Sequence, residues 1–357
     1  MNLGVFSSYS RSSRWIVEES RKYFDHSYHI NLKKLDIKVT TSGIDITYFN
    51  NSLPPLDCVY IRGSYRYRMF LKAIAKYYQD KAYMPISPDS FDLVHNKLYT
   101  HLTLAKHDIP MPDTFIAPSV KKSKKILKKV RYPIIIKIPS GTQGKGVMVA
   151  DSFASASSTV DAMDFNEPFL IQEFVENDGR DSRLIVAGEK VVAAMNRVAA
   201  EGEKRSNIHA GGTGELYSPS EKIKKIAVKV ARVLNSNVVG VDLLKTATGA
   251  KVIEANISPG LQGITKATDK NVAKPIAKYL AEETKNYLQL KRQEEIDEVD
   301  ELINSSDDDF GSGVLMNPDL RGNRILLPEF VTNISNLKSY DEVIIKVKKG
   351  EVIIEKN

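Results

Sequence analysis

Val238-Val239-Gly240-Val241-Asp242, followed after a turn at Thr248-Gly249 by Val252-Ile253-Glu254-Ala255-Asn256-Ile257-Ser258-Pro259-Gly260, is the stretch on which the fold turns. The β-branched runs read as adjacent strands. Asp242 and Glu254, twelve residues apart, with Asn256 beside them, bring two carboxylates and an amide together. Hard oxygen donors favour Mg²⁺ over Zn²⁺, and Mg²⁺ usually completes its shell with water and phosphate oxygens. For an isolated pair of this kind, solvated strand ends are the alternative reading.

Upstream, Lys137 lies on an expected strand, Tyr132 to Ile138, just before Ser140-Gly141-Thr142-Gln143-Gly144-Lys145-Gly146. Glycines there let backbone N–H groups approach phosphate oxygens. The loop is not a Walker A loop, because Gly146 follows Lys145 where Ser or Thr would be needed; a glycine-rich hairpin without ligand is the plain alternative. Gln172-Glu173-Phe174-Val175 ends a strand whose backbone can pair with an adenine edge, or is an ordinary strand end. Asp181-Ser182-Arg183 begins the next strand, with Asp181 and Arg183 on one face. Arg197 follows another, and Arg205-Ser206-Asn207-Ile208-His209-Ala210-Gly211-Gly212 adds a cation, an amide and flexible glycines. Surface salt bridging is the competing reading for each arginine.

With 357 residues, 42% hydrophobic and 27% charged, the chain is long enough for two or three domains, each with a core. No apolar run approaches the roughly 20 residues of a membrane span, and Met1-Asn2-Leu3-Gly4-Val5-Phe6 lacks the features of a signal peptide, so a cytoplasmic location is expected. Cys58, the only cysteine, excludes an internal disulfide and a cysteine zinc cluster, and reads as a core residue. The net charge of +7 is uneven: Lys121, Lys122, Lys124, Lys125, Lys128, Lys129 and Arg131 form a basic block, and nine acids lie between Glu294 and Asp309. The block is either a solvated helix face or a surface for nucleic acid or an acidic partner.

Organisation follows from periodicity and punctuation. Residues 1–92 read as a small α/β unit, with a strand at Leu3 to Phe6, helices near Ser13 to Tyr23 and Met69 to Tyr78, and Asp57 to Gly63 as a strand entering a loop. Arg62 there faces a substrate anion or is a plain loop arginine. Residues 93–290 hold a helix at Asn96 to Ala105, strands at Phe169 to Phe174, Leu184 to Val186 and Val191 to Met195, and a helix from Glu221 to Leu234 behind a Ser220 cap. Residues 291–312 read as an acidic flexible linker, and 313–357 as a small β-rich domain with strands at Arg324 to Pro328, Glu342 to Val347 and Glu351 to Glu355 and a Lys349-Gly350 turn. The fold class is α/β in the broad, α+β sense.

Taken in order, Lys137 with Gly141-Thr142-Gln143-Gly144, Gln172-Glu173, Asp181-Ser182-Arg183, Arg205 to Gly212, Gly240-Val241-Asp242 and Glu254 to Gly260 resemble the ATP-grasp ligases, closest to their RimK-like branch, which joins glutamate or a related amino acid to a carboxylate. The resemblance covers residues 1 to about 290. It implies an ATP-grasp fold behind an N-terminal pre-ATP-grasp domain. It also implies an acyl-phosphate route to the amide, with an acceptor that is a protein C-terminus or a small metabolite. By the same resemblance Lys97 and Lys137 hold ATP phosphates, with Gly141 to Gly144 as their cover. Gln172, Glu173 and Phe174 take the adenosine, Asp181 the ribose, and Arg205, Ser206 and Asn207 lie near the nucleotide. Arg197, Arg183 and Lys137 are the catalytic candidates, and Asp242, Glu254 and Asn256 bind two metal ions, Mg²⁺ or Mn²⁺. His209 either assists proton transfer or merely hydrogen-bonds. One residue fewer lies between Glu173 and Asp181 than in the family pattern. The tail weakly resembles an AbrB-type hairpin domain, which implies a homo-oligomer and, less readily, nucleic-acid binding. The competing function is a nucleotide-sensing regulatory or DNA-binding protein with a non-catalytic cleft. No membrane partner is expected.

Overall fold

The structure, a computed structural model, describes the chain except residues 42, 140–145, 163–167, 178, 200–212, 248, 305–318, 322–323, 328–330, 332–334, 336, 339–340, 349–350 and 357. Two compact units result, Met1–Asn286 and Tyr287–Asn357. The first begins with a three-stranded parallel sheet in which β1 (Asn2–Ser7) lies between β2 (His26–Asn31) and β6 (Cys58–Ile61). β3 (Leu35–Thr40), β4 (Gly43–Tyr48) and β5 (Asn51–Ser52) form a separate antiparallel sheet between them in sequence. Helix α1 (Arg11–Ser20) starts two residues before its expected position, because Ser10 caps it by accepting from Ser13 N at 3.2 Å. Cys58 is fully buried, which pushes its thiol up to about 12.

α2 (Arg68–Tyr78), α3 (Ser90–His95) and α4 (Lys97–Lys106) lead into two larger sheets. The Asn96 side chain accepts from Leu98 N at 3.0 Å, so Lys97 is the first residue of α4. A four-stranded antiparallel sheet has the order β7 (Thr114–Ala117), β10 (Phe169–Glu173), β8 (Ile134–Lys137), β9 (Val147–Ala150). α5 (Val120–Leu127) and α6 (Phe153–Ala162) cover it, and Leu127, Ile134, Ile136, Val160 and Phe169 form its core. The lysines of the basic block stay exposed or half-exposed along α5, Lys124 pairing with Asp161 at 2.7 Å. Gly146, at the end of the glycine-rich loop, has φ +76° and a Cβ there would meet Ile138, so the close turn needs glycine.

The second sheet is five-stranded and antiparallel, in the order β13 (Thr213–Leu216), β12 (Lys190–Val198), β11 (Arg180–Ala187), β14 (Val238–Thr246), β15 (Gly249–Asn256). α7 (Glu221–Val233) and α8 (Gln262–Thr268) follow β13 and β15. Two sequence expectations change here. β11 takes in Asp181-Ser182-Arg183 as expected, but β12 runs past Met195 to Val198, so Arg197 lies within a strand rather than after it. Polar residues sit on interior strand positions because they pair with one another, a pattern that hydrophobic alternation alone misses. Ser220 stands at the N-cap of α7, yet its side chain makes no cap bond; its carbonyl accepts from Lys224 N at 3.0 Å.

α9 (Ala273–Asn304) is a single 32-residue helix, so residues 291–304 of the segment expected as acidic flexible linker are helical; four Glu and the absence of Gly and Pro favour helix there. In the second unit, β16 (Asp319–Arg321) pairs with β17 (Arg324–Leu326), and β18 (Val343–Lys348) with β19 (Glu351–Lys356), in two antiparallel hairpins. The Lys349-Gly350 turn lies outside the described residues. No helix among the described residues is long and apolar enough to cross a membrane.

β11 is the central strand of the five, and Leu184 is fully buried beneath it. Leu184→Ala is expected to lower unfolding free energy by about 2–5 kcal/mol, read as a lower urea midpoint at unchanged slope. An unchanged midpoint would place β11 outside the core.

Candidate active site

Antiparallel register sets the motif residues side by side. Asp242 stands opposite Arg183 on one side and Glu254 on the other, and Asn256 stands opposite Gly240, two positions along on the same face. Asp181 stands opposite Arg197. Six polar side chains from β12, β11, β14 and β15 therefore share one sheet face.

Four of them are joined by direct bonds. Arg183 forks Asp242, Nε to Oδ1 and Nη2 to Oδ2, both at 2.7 Å. Arg197 donates through Nε to Asp181 Oδ1 at 2.6 Å and through Nη2 to Asp181 Oδ2, while Nη2 also reaches Asp242 Oδ2 at 2.7 Å. Asp181, Arg197 and Asp242 are all buried. Burial alone would raise Asp242, but the guanidinium charges of Arg183 and Arg197 outweigh it and hold the carboxyl at about 2. For Asp181 burial wins over Arg197 and the carboxyl is raised, while Arg197 is raised by Asp242 and Asp181 despite its burial. Asp181, expected at a ribose, has both oxygens engaged by Arg197.

The other wall of the cleft carries lysines. Lys97 N donates to Pro139 O at 3.1 Å, which sets the start of α4 against the entrance of the glycine-rich loop. Burial lowers Lys137 to about 8, with Lys97 adding to the effect and Glu254 opposing it; Lys97 is lowered by burial, with Glu254 and Tyr65 opposing. Both ammonium groups thus feel the Glu254 carboxylate. Glu173 is ion-paired with Lys251 of β15, and its backbone N donates to Asp113 O at 2.9 Å. Phe174 follows it, half-buried. Gln172 is buried with its side chain turned beneath the sheet, where Nε2 donates to Thr114 Oγ1 at 2.8 Å and to His101 Nε2 at 3.1 Å.

Sequence reading missed His101 and Lys251. His101 lies one helical turn after Lys97, the spacing that signals a shared face. Its Nδ1 is 2.7 Å from Lys97 O, so Nδ1 carries the proton and Nε2 accepts from Gln172. Arg62 is not a loop arginine open to an anion: it is buried and bonded to Ser13, Tyr60 and Pro259. The expected site residues Gly141, Thr142, Gln143, Gly144, Arg205, Ser206 and Asn207, with His209, lie outside the described residues.

The metal candidates fit a hard divalent cation by chemistry. Glu254 and Asn256 are half-buried, and Asn256 Oδ1 accepts from Ser258 N at 2.8 Å, keeping a second lone pair. Asp242 is buried between two arginines, not a solvated strand-end residue. No three His, Cys, Asp or Glu among the described residues form a compact metal cluster.

Residues 94–280 match the family model described as the RimK-like ATP-grasp domain. The chain belongs to this family. The probable alpha-L-glutamate ligase of Cellvibrio japonicus is 33% identical over 291 residues, which is 80% of this chain and 97% of that protein. The ATP-grasp ligase PsnB, solved with a phosphomimetic variant of a minimal precursor, Mg and ADP, matches with a TM-score of 0.63 at 15% identity, covering 79% of this chain and 98% of that one. A RimK domain protein from Sphaerobacter thermophilus gives a TM-score of 0.61 at 18% identity, covering 78% and 99%. The RimK-like ligase has the ATP-grasp fold that the sequence implied, but the family match ends at residue 280 and lends nothing to an AbrB-type tail.

His101 supplies a pH test of the ligase fold. Burial holds its imidazole at about 4, below the ordinary 6.5, so the folded state prefers it neutral. Its contribution is complete above pH 6.5 and is lost as pH falls toward 4, because the unfolded chain takes up a proton that the fold refuses. His101→Gln should flatten the fall in melting temperature across that window. Part of the slope should persist, since half-buried His95 is shifted to about 4 as well. An unchanged slope would contradict the buried neutral histidine.

Proposed function

We propose that this RimK-like ligase is an ATP- and Mg²⁺-dependent carboxylate–amine ligase that adds glutamate or a related amino acid to a protein C-terminus or a small carboxylate metabolite. The observation that carries the reading is the convergence of Lys97 and Lys137 on Glu254, whose strand partner Asp242 lies among Arg183 and Arg197. PsnB, of like fold, was solved with Mg and ADP, and the name of the Cellvibrio japonicus relative points to glutamate. The sensing alternative draws no support from the comparisons.

In this reading the acceptor carboxylate attacks the γ-phosphorus of ATP and displaces ADP; the amine then attacks the acyl carbon, expels phosphate and loses a proton. Asp242, Glu254 and Asn256 would hold two Mg²⁺ ions, or Mn²⁺ in their place, which would supply neutralising charge at the phosphoryl oxygens. Lys97, Lys137 and the backbone of Gly141 to Gly144 grip the phosphates, and the burial of Lys137 makes its contact strong. Gln172 fixes the strand on which Glu173 and Phe174 meet the adenosine. Arg205, Ser206 and Asn207 lie beside the nucleotide. Arg183 and Arg197 stabilise charge on the transferred group, with Asp181 holding Arg197 in place.

Glu254→Gln should reduce ADP release on the order of 100-fold or more at an unchanged melting temperature, since Glu254 is only half-buried. Full activity would contradict the assignment. Asp242→Asn is preferred to alanine, which would leave two guanidinium groups facing an empty buried space. The function itself is tested by mass spectrometry of acceptors incubated with enzyme, ATP and each amino acid. A mass increase of one or more glutamyl residues with matching ADP is expected, and no product or ADP with any pair would remove the reading.

A further inference from the structure

Arg62, just after β6, is buried, and among the described residues no carboxylate pairs with it. Its guanidinium instead makes three directed bonds to neutral acceptors: Nε to Ser13 Oγ at 3.1 Å, Nη1 to Tyr60 Oη at 2.7 Å and Nη2 to Pro259 O at 2.7 Å. Burying a cation this way is costly, and only a planar fork reaches three acceptors in different directions. Its neighbour Gly63 donates its backbone N–H to Ser258 Oγ at 2.9 Å. A third tie comes from α1, where Ser12 Oγ accepts from Leu261 N and donates to Gln262 Oε1, both at 2.9 Å. The segment from Ser258 to Leu261 is thus strapped at three points, two at the end of β6 and one on α1.

That strap begins two residues after Asn256, and Ser258 N donates to Asn256 Oδ1 at 2.8 Å. The bond fixes the carboxamide, because only its oxygen can accept from an N–H. We infer that Arg62 is a positioning residue that, through Pro259 and Ser258, aims the Asn256 oxygen into the cleft. The inference rests on the reading of Asn256 as a metal ligand. It assigns the N-terminal domain a part in metal binding although none of its residues need touch the ion.

The test is Mn²⁺ binding to the full-length enzyme with ADP, followed by the loss of the free-ion electron paramagnetic resonance signal, beside ADP binding without metal and thermal melting. Arg62→Gln should weaken Mn²⁺ binding by about ten- to a hundredfold, the range for partners that orient a metal ligand. Arg62→Lys should not restore it, as an ammonium cannot span the three acceptors. Should Arg62→Gln fail to fold, Ser258→Ala, which removes only the Gly63 tie, should weaken Mn²⁺ binding at an unchanged melting temperature. Metal-free ADP affinity should stay at the wild-type value throughout. Wild-type Mn²⁺ affinity in Arg62→Gln or, where that does not fold, in Ser258→Ala, with loss in Asn256→Ala, would overturn the role of Arg62 and leave the metal reading standing. Wild-type affinity in Asn256→Ala would overturn both.

Discussion

Two buried carboxylates and a buried guanidinium, with a second guanidinium at their edge, meet on one face of an antiparallel sheet, and the rest of the site depends on that pairing. Each charge is tolerated inside only because the others satisfy it; removing one partner of such a set typically costs about 3–5 kcal/mol. The pairing exists in one register alone. A shift of a single residue between β11 and β14 would send Arg183 and Asp242 to opposite faces, so the polar row specifies the sheet as firmly as its apolar core does. Fold and chemistry are here the same constraint.

Around this row the molecule builds a cleft of unequal walls. One wall is a polar sheet on which Arg183 and Arg197 keep the buried Asp242 carboxylate ionised. The other brings Lys137, buried, and Lys97, half-buried, whose ammonium groups are pushed toward neutrality by burial against the opposing charge of Glu254. The Glu173–Lys251 ion pair links β10 of one sheet to β15 of the other, and the Arg62 strap anchors the far end of β15 to the end of β6 in the N-terminal sheet. Strand β15 is thus fixed at both ends, where its Glu254 and Asn256 must be held.

Much of this was legible in the sequence. Val238-Val239 and Val252-Ile253 announced the strands, and the spacing of Asp242, Glu254 and Asn256 announced a shared face, which the register bears out. The polar partners were not legible. Nothing local in Asp181-Ser182-Arg183 says that Asp181 binds Arg197 while Arg183 binds Asp242, since those contacts depend on strand order. Arg62 was ambiguous because its three acceptors come from Ser13, Tyr60 and Pro259, the last almost two hundred residues away. His101 was hidden by an apolar neighbourhood, though its distance of one helical turn from Lys97 was available. The stretch after Leu290 carries an acidic helical pattern within the segment taken as linker, and α9 follows that pattern to Asn304.

The central claim is that Asp242, Glu254 and Asn256 together hold a divalent cation against phosphates gripped by Lys97 and Lys137. Crystals grown with ADP and Mn²⁺ would test it through the anomalous signal of manganese. The account predicts a peak about 2 Å from oxygens of Asp242, Glu254 and Asn256, with the nucleotide phosphates on the two lysines. A manganese peak elsewhere in the molecule, with Asp242 still fully enclosed by Arg183 and Arg197, would contradict it.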